Sequence, residues 1–127
     1  MIRSIFIPFV FSTILFAEFE SDLQLKLILA EPGDTIHLES GLFPILGTLS
    51  MEGKENIVIK GSGINGTILD FSTQIEGAQG LSITNCKNVT LEDFTIQDAK
   101  GDAIKCQYTD GIIFRHLKTY WTGGPSP

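Results

Sequence analysis

Residues 80–121 read GLSITNCKNVTLEDFTIQDAKGDAIKCQYTDGIIFRHLKTYW, and this stretch contains one pattern twice. The segment NVTLEDFTIQ at 88–97 is followed by GIIFRHLKTY at 111–120, in which apolar residues occupy the same alternate positions. The matched pairs, each 23 residues apart, are Val89 and Ile112, Leu91 and Phe114, and Phe94 and Leu117. Apolar residues at alternate positions predict strands that are buried on one face.

A strand pattern that recurs at a fixed spacing indicates a solenoid, in which each coil buries its apolar face against the next. The preceding rows match with a longer offset of 32 residues: Leu49 with Leu81, Ile57 with Val89, and Ile59 with Leu91. The nine extra residues must leave the stack in the GSGING turn at 61–66 and the FSTQIEGAQG loop at 71–80. The sequence therefore predicts an all-β solenoid with insertions between its rows.

The N-terminal segment 1–17, MIRSIFIPFVFSTILFA, has one cation, Arg3, followed by an apolar run over 5–16. This run is shorter than the ~20 residues that span a bilayer, and it matches the apolar core of a secretory signal peptide. The alternative is a buried N-terminal strand or helix. We expect cleavage after Ala17, export to the periplasm or the extracellular space, and a mature domain of residues 18–127 without a stable membrane span.

Residues 21–31 predict a short capping helix. Ser21 or Asp22 can serve as its N-cap, Pro32 and Gly33 end it, and its apolar residues fall on one face, at Leu23, Leu27 and Ala30. Such a helix would cover the strand edges of the first coil, which would otherwise pair with another chain.

The C-terminal segment offers no comparable cap. After LKTY the chain runs through Trp121 into TGGPSP. We expect the natural solenoid to continue past Pro127, and the 127-residue chain alone to be marginally stable and to self-associate through the end that carries Ile112 and Phe114.

A family resemblance extends over residues 22–124. The LQLKLILAEPGDTIHLESGLF start at 23–43, the NVTLEDFTI row at 88–96 and the GDAIK row at 101–105 resemble right-handed parallel β-helix proteins of the pectate-lyase-like class. That class includes secreted polysaccharide lyases, glycoside hydrolases and alginate epimerases. The resemblance implies three sheets along the axis, with sugar bound on one exposed face, and it identifies the chain as the N-terminal part of such a domain.

Charge limits the partners. The net charge of −6, with no cluster of Lys and Arg, argues against a nucleic-acid partner. It also disfavours a polyanionic sugar unless a metal ion bridges the charges. Asp98 and Asp102 lie in adjacent rows, where their carboxylates could bind calcium; the alternative is that they are solvated turn residues.

No catalytic constellation is recognisable between Asp22 and Pro127. A glycoside hydrolase needs two carboxyls that flank the bond, and the polygalacturonase-like signatures fail because Tyr108 replaces an Asn and Asp102 stands without a second acid. Two functions stay open: a polysaccharide-processing enzyme of lyase, epimerase or hydrolase type, or a noncatalytic protein that binds glycans or a partner. We expect the chain by itself to turn over no polysaccharide.

Tyr120 and Trp121 are the candidate carbohydrate-binding residues, because an aromatic pair on an outer face can stack against a sugar ring. The alternative is that they pack beneath a further coil. Candidate structural turn residues precede the second strand of successive rows, where Asn and Gly accept a left-handed backbone: Asn56, Asn88 and Gly111.

The two cysteines lie in adjacent rows. Alignment of Ile83 with Ile104 places Cys106 level with Asn85, one residue from Cys86, so that the two side chains would point to opposite faces. We therefore expect free thiols rather than a disulfide.

Overall fold

The computed structural model describes residues 7–123, and the side chains of residues 16–123. One helix precedes nine strands. The helix α1 spans Ile7–Leu29, and the strands are β1 Thr35–His37, β2 Gly41–Pro44, β3 Leu49–Glu52, β4 Glu55–Lys60, β5 Thr67–Asp70, β6 Leu81–Thr84, β7 Lys87–Gln97, β8 Ile104–Gln107 and β9 Asp110–Tyr120.

Every strand pairing is parallel, and together the pairings form a solenoid of about four turns. Strands β1, β4, β7 and β9 stack in one column, and β2, β5 and the second half of β7 stack in another, within a six-stranded sheet. Strands β3, β6 and β8 form a separate three-stranded sheet. The predicted parallel β-solenoid is confirmed.

The predicted registers are also confirmed. Leu49 pairs with Leu81, and Ile57 with Val89, at the offset of 32, whereas Val89 pairs with Ile112 at the offset of 23. The nine extra residues are divided between the two expected segments. The offset falls to 27 across the turn at 61–66, where Ile68 pairs with Thr95, and to 23 across the loop at 71–80.

Inward residues of successive coils stack into one apolar core. Phe71, Phe94, Ile45, Leu91 and Ile96 are fully buried there. Because each coil covers the inward side chains of its neighbour, burial depends on the neighbouring coil as well as on the strand itself.

The helix α1 caps the first coil, as predicted, with Leu23, Leu27 and Ala30 buried against the core. Its predicted N-terminal boundary is wrong, because α1 begins at Ile7 and Ser21 and Asp22 lie inside it. No Gly or Pro interrupts the chain between Phe9 and Glu31, so the apolar run and the cap form one continuous helix. Asp22 forms an ion pair with Lys26 at 3.2 Å instead of acting as an N-cap.

Side chains of α1 satisfy backbone groups at the edge of the first coil. The Gln24 amide donates to the carbonyl of Ser50 at 2.9 Å and accepts from the N–H of Ser50 at 2.8 Å. The Glu20 carboxylate accepts the N–H groups of Leu46 and Gly47 at 2.8 and 3.0 Å. The helix therefore replaces a neighbouring strand for β3.

Two predictions fall wholly or partly outside the described residues. Of the predicted signal peptide, residues 1–6 lie outside them and residues 7–17 are helical, and its cleavage stays a prediction. The segment 124–127 also lies outside them, and continuation past Pro127 stays a prediction. Within residues 7–123, no helix has the length and apolar character needed to cross a membrane.

Candidate functional site

An aromatic edge, defined here as Lys118, Tyr120 and Trp121, lies at the end of β9. Tyr120 pairs with Gln97, and its neighbour Thr119 pairs with the buried Ile96. Since side chains alternate along a strand, Tyr120 points to the outer face of the coil. Its side chain is 44% exposed and that of Trp121 is 53% exposed.

Lys118 occupies the same outer face as Tyr120, two residues earlier. Its ammonium nitrogen lies 4.5 Å from the centroid of the Tyr120 ring, a cation–π distance. The aromatic edge therefore offers exposed aromatic surface beside a positive charge. Sequence reasoning identified Tyr120 and Trp121 but missed Lys118, whose i, i+2 spacing from Tyr120 on a strand was the available signal.

Asp98 holds the backbone on both sides of Trp121. Its N–H donates to the carbonyl of Tyr120 at 2.8 Å, and its carboxylate accepts the N–H of Thr122 at 2.7 Å and the hydroxyl of Thr122 at 2.9 and 3.0 Å. Asp98 adopts a positive φ of 59°, which Asp tolerates better than most residues. Trp121 is thus exposed on an anchored backbone.

Asp98 and Asp102, the predicted calcium ligands, make different contacts. Both carboxylate oxygens of Asp98 bond to Thr122, whereas Asp102 is exposed and uses its backbone carbonyl to accept the N–H of Gly80. Among the described residues, no group of three or more His, Cys, Asp or Glu side chains is arranged to hold a metal ion.

The acids and the histidine of the outer face form ion pairs between coils. Glu92, which is 13% exposed, lies 3.6 Å from the ammonium of Lys60 and 3.3 Å from the guanidinium of Arg115. His116 lies 3.5 Å from Asp93 and is highly exposed. These contacts join neighbouring coils in register.

The candidate turn residues stack along the axis. Asn56, Asn88 and Gly111 have φ values of 57°, 56° and 82°, and the amide of Asn88 donates to that of Asn56 at 3.2 Å. A Cβ on Gly111 would lie 2.7 Å from the side-chain oxygen of Asn88. Glycine is therefore the residue that fits this position, both in φ and in space.

The cysteine alignment is wrong by two residues, although both cysteines are free. Cys106 pairs with Ile83, and Leu81 pairs with Ile104, so Cys106 faces the core side and is exposed only because it lies in the last described coil. Cys86 is buried, with its sulfur 3.4 Å from the carbonyl of Thr84. Partial burial, and then the nearby Cys86, raise the pKa of the Cys106 thiol.

Comparison with known proteins adds no family to this description. No family model, no curated protein and no solved structure matches the chain.

Proposed function

We propose that the chain is an exported β-helical module that binds polysaccharide through the aromatic edge. The observation that carries this proposal is the exposure of Tyr120 and Trp121 on the outer face of β9, where Asp98 anchors the backbone around them. A fixed aromatic ring presents an apolar face to the C–H groups of a sugar and loses little conformational freedom on binding.

Lys118 favours sugars that carry acidic groups. Its ammonium lies beside the Tyr120 ring, where it can meet a uronate carboxylate while the ring stacks on the sugar. The whole chain has a net charge of −6, so Lys118 supplies a local attraction on an otherwise negative molecule. Salt would screen this attraction, and binding of an acidic glycan should therefore depend on the salt concentration. Polygalacturonate and alginate are therefore the first ligands to test.

Binding is proposed over turnover because of the position of Asp98. Its carboxylate oxygens are engaged by Thr122, which disfavours a role as a general base or calcium ligand. The pectate-lyase-like resemblance supports a place among polysaccharide-related proteins. Membership of that enzyme class is a wider hypothesis, in which these coils would bind sugar beside catalytic groups located elsewhere.

Export with cleavage after Ala17 agrees with the contacts that α1 makes. Among the helix residues whose side chains the structure describes, Phe19 stacks on Phe43 with ring centroids 3.7 Å apart, and Glu20 and Leu23 also contact the first coil. Cleavage after Ala17 would keep these three contacts. The intact mass of the exported product tests this: a cytosolic protein that begins at Met1 would contradict export.

The binding experiment measures retention of the purified chain by immobilised polygalacturonate, alginate and a neutral glucan, with and without calcium. We expect retention on at least one acidic glycan and at least a tenfold loss with Tyr120→Ala or Trp121→Ala, because stacking on an aromatic ring is lost. Tyr108→Ala is the matched control, since Tyr108 is 83% exposed but lies in a different turn.

Ultraviolet absorbance of the same mixtures reports unsaturated lyase products, and an assay for new reducing ends reports hydrolysis. We expect neither signal to rise. Retention that is equal for the wild type and both aromatic-edge variants, or no retention on any glycan, would contradict the proposal. Product formation that Asp98→Ala abolishes would replace binding by catalysis.

A further inference from the structure

The last described coil exposes groups that every earlier coil buries. Leu91 is fully buried, whereas Phe114, its register partner in the next coil, is 53% exposed. Among residues 7–123, β9 pairs only with β7, and β8 pairs only with β6. Among these residues the outer edge of the coil therefore has unpaired backbone groups beside apolar side chains, an arrangement that favours pairing with another strand.

The backbone groups on this edge can be assigned from the earlier coils. The N–H of Leu38 donates to the carbonyl of Lys60, and the N–H of Gly61 donates to the carbonyl of Glu92. Both carbonyls therefore point to the preceding coil, and Arg115 occupies the same register position. Successive residues of a strand direct their N–H and C=O groups to opposite edges. Arg115 directs its carbonyl to β7, so Ile112 and Phe114 direct their N–H and C=O groups to the unpaired edge.

We propose that two copies of the 127-residue chain join end to end by antiparallel pairing of their β9 strands, on a two-fold axis that passes through Ile113. A coil that followed β9 in a longer chain would occupy the same edge, so this pairing belongs to the 127-residue chain. Joining two identical ends reverses one solenoid, so the two strands run antiparallel. An isologous pair of this kind is closed and stops at a dimer.

The register follows from two requirements. Inward side chains must meet inward side chains, or core residues would face water, and the edge groups of both Ile112 and Phe114 must find partners. A register centred on Ile113 meets both conditions, because it sets Ile112 of each copy opposite Phe114 of the other. Centring on Ile112 or on Phe114 leaves one of these residues without a complete pair.

Charge also favours this arrangement. Asp110 begins β9, whereas Arg115 lies further along the same strand in an ion pair with Glu92, and both Asp110 and Arg115 are exposed. Reversal of one strand places Asp110 of each copy near Arg115 of the other. Opposite charges across antiparallel strands are stabilising, and like charges would be destabilising. The outward side chain at the axis, Ile113, is apolar and half exposed, so it meets its own copy without repulsion.

Disulfide trapping tests the register directly. Ile113 would form a non-hydrogen-bonded pair with Ile113 of the second copy, with the two Cα atoms about 4.5 Å apart, within the range that a disulfide accepts. In a Cys106→Ser background, we expect Ile113→Cys to give at least tenfold more disulfide-linked dimer than Thr90→Cys. Thr90 is the matched control because it occupies the same register position one coil earlier.

Analytical ultracentrifugation provides the second measurement. Phe114→Pro removes the Phe114 N–H, which points to the free edge, and it leaves the hydrogen bonds to β7, which come from the neighbouring residues. We therefore expect Phe114→Pro to raise the dimer dissociation constant at least tenfold more than Phe114→Ala does. Circular dichroism checks that both variants fold. Monomers at all concentrations, dimers that Ile113→Cys does not trap, or equal trapping at positions 90 and 113 would each overturn the proposal. The aromatic-edge variants should dimerise normally, which separates this proposal from glycan binding.

Discussion

The two ends of the solenoid differ in how their strand edges are covered. At the first coil, α1 lies against β3, and Gln24 forms two hydrogen bonds with the backbone of Ser50. At the last described coil, β9 keeps one edge unpaired, and Phe114 is half exposed. An amide side chain has the same donor and acceptor as a peptide unit, so a helix that carries one can replace a strand.

The largest expected difference between the ends is in core burial. Leu91→Ala should lower the free energy of unfolding by about 2–5 kcal/mol, because it leaves a cavity in a packed core. Phe114→Ala, at the same register position one coil later, should cost less than about 1.5 kcal/mol, because much of its side chain is already in water. Urea denaturation at concentrations where the chain is monomeric measures both. Equal losses would show that Phe114 is buried in the monomer.

The Glu20 carboxylate provides the next effect, at the covered end. Glu20→Ala removes the acceptor for the N–H groups of Leu46 and Gly47 and should cost about 1.5–3 kcal/mol, the range for hydrogen bonds to a charged group. The control is Glu18→Ala, an exposed acid two residues earlier, which should change stability by less than ~0.5 kcal/mol. If both substitutions cost the same, the helix does not hold the first coil through Glu20.

Asp98 has a smaller, local effect at the other end. Asp98→Asn should weaken the hydrogen bonds to Thr122 at a cost of about 0.5–1.5 kcal/mol and loosen the backbone around Trp121. Because Trp121 is the single tryptophan of the chain, its fluorescence anisotropy reports this motion and should fall. Asp102→Asn should leave the anisotropy unchanged. An equal fall in anisotropy in both variants would show that Asp98 has no specific role in holding the backbone of the aromatic edge.

The smallest effect is expected from Cys106 at alkaline pH. Burial raises the pKa of this thiol in the folded chain, so the unfolded chain ionises first as the pH rises. The free energy of unfolding should therefore decline as the pH rises above the ordinary thiol pKa, whereas at neutral pH the thiol should have no pH-dependent effect on it. Cys106→Ser should remove this decline.

Thiol titration of the unfolded, unreduced chain should find both cysteines free, and a disulfide would contradict the structure.

The fold could be predicted because burial repeats with the coils. Leu91, Val89 and Phe94 recur as Phe114, Ile112 and Leu117, so apolar alternation determined the register. The same apolar pattern gives the wrong register for the cysteines. Cys106 is a small residue at a core-facing position, so matching large apolar residues pairs Ile83 with Ile104, whereas in the structure Ile83 pairs with Cys106.

The polar contacts of the cap and of the aromatic edge were not predictable. Glu20 and Gln24 lie one helical turn apart on α1, as surface residues commonly do, and only tertiary packing brings them to Leu46 and Ser50. In the sequence Asp98 likewise resembles a solvated turn acid or a calcium ligand, whereas in the structure its carboxylate accepts a hydrogen bond from Thr122. Side chains that bond across coils leave no periodic signal in a sequence.

Amide hydrogen exchange, residue by residue in a dilute monomeric sample, tests the difference between the two ends most directly. The Ser50 amide should exchange more slowly than the edge amides of Ile112 and Phe114, and Gln24→Ala should speed Ser50 roughly fivefold, since a hydrogen bond is worth about 1 kcal/mol. The exchange of Phe114 should not change in that variant. Protection of Ile112 and Phe114 equal to that of Ser50 in the monomer, or a Ser50 amide indifferent to Gln24→Ala, would contradict a covered first coil and an open last one.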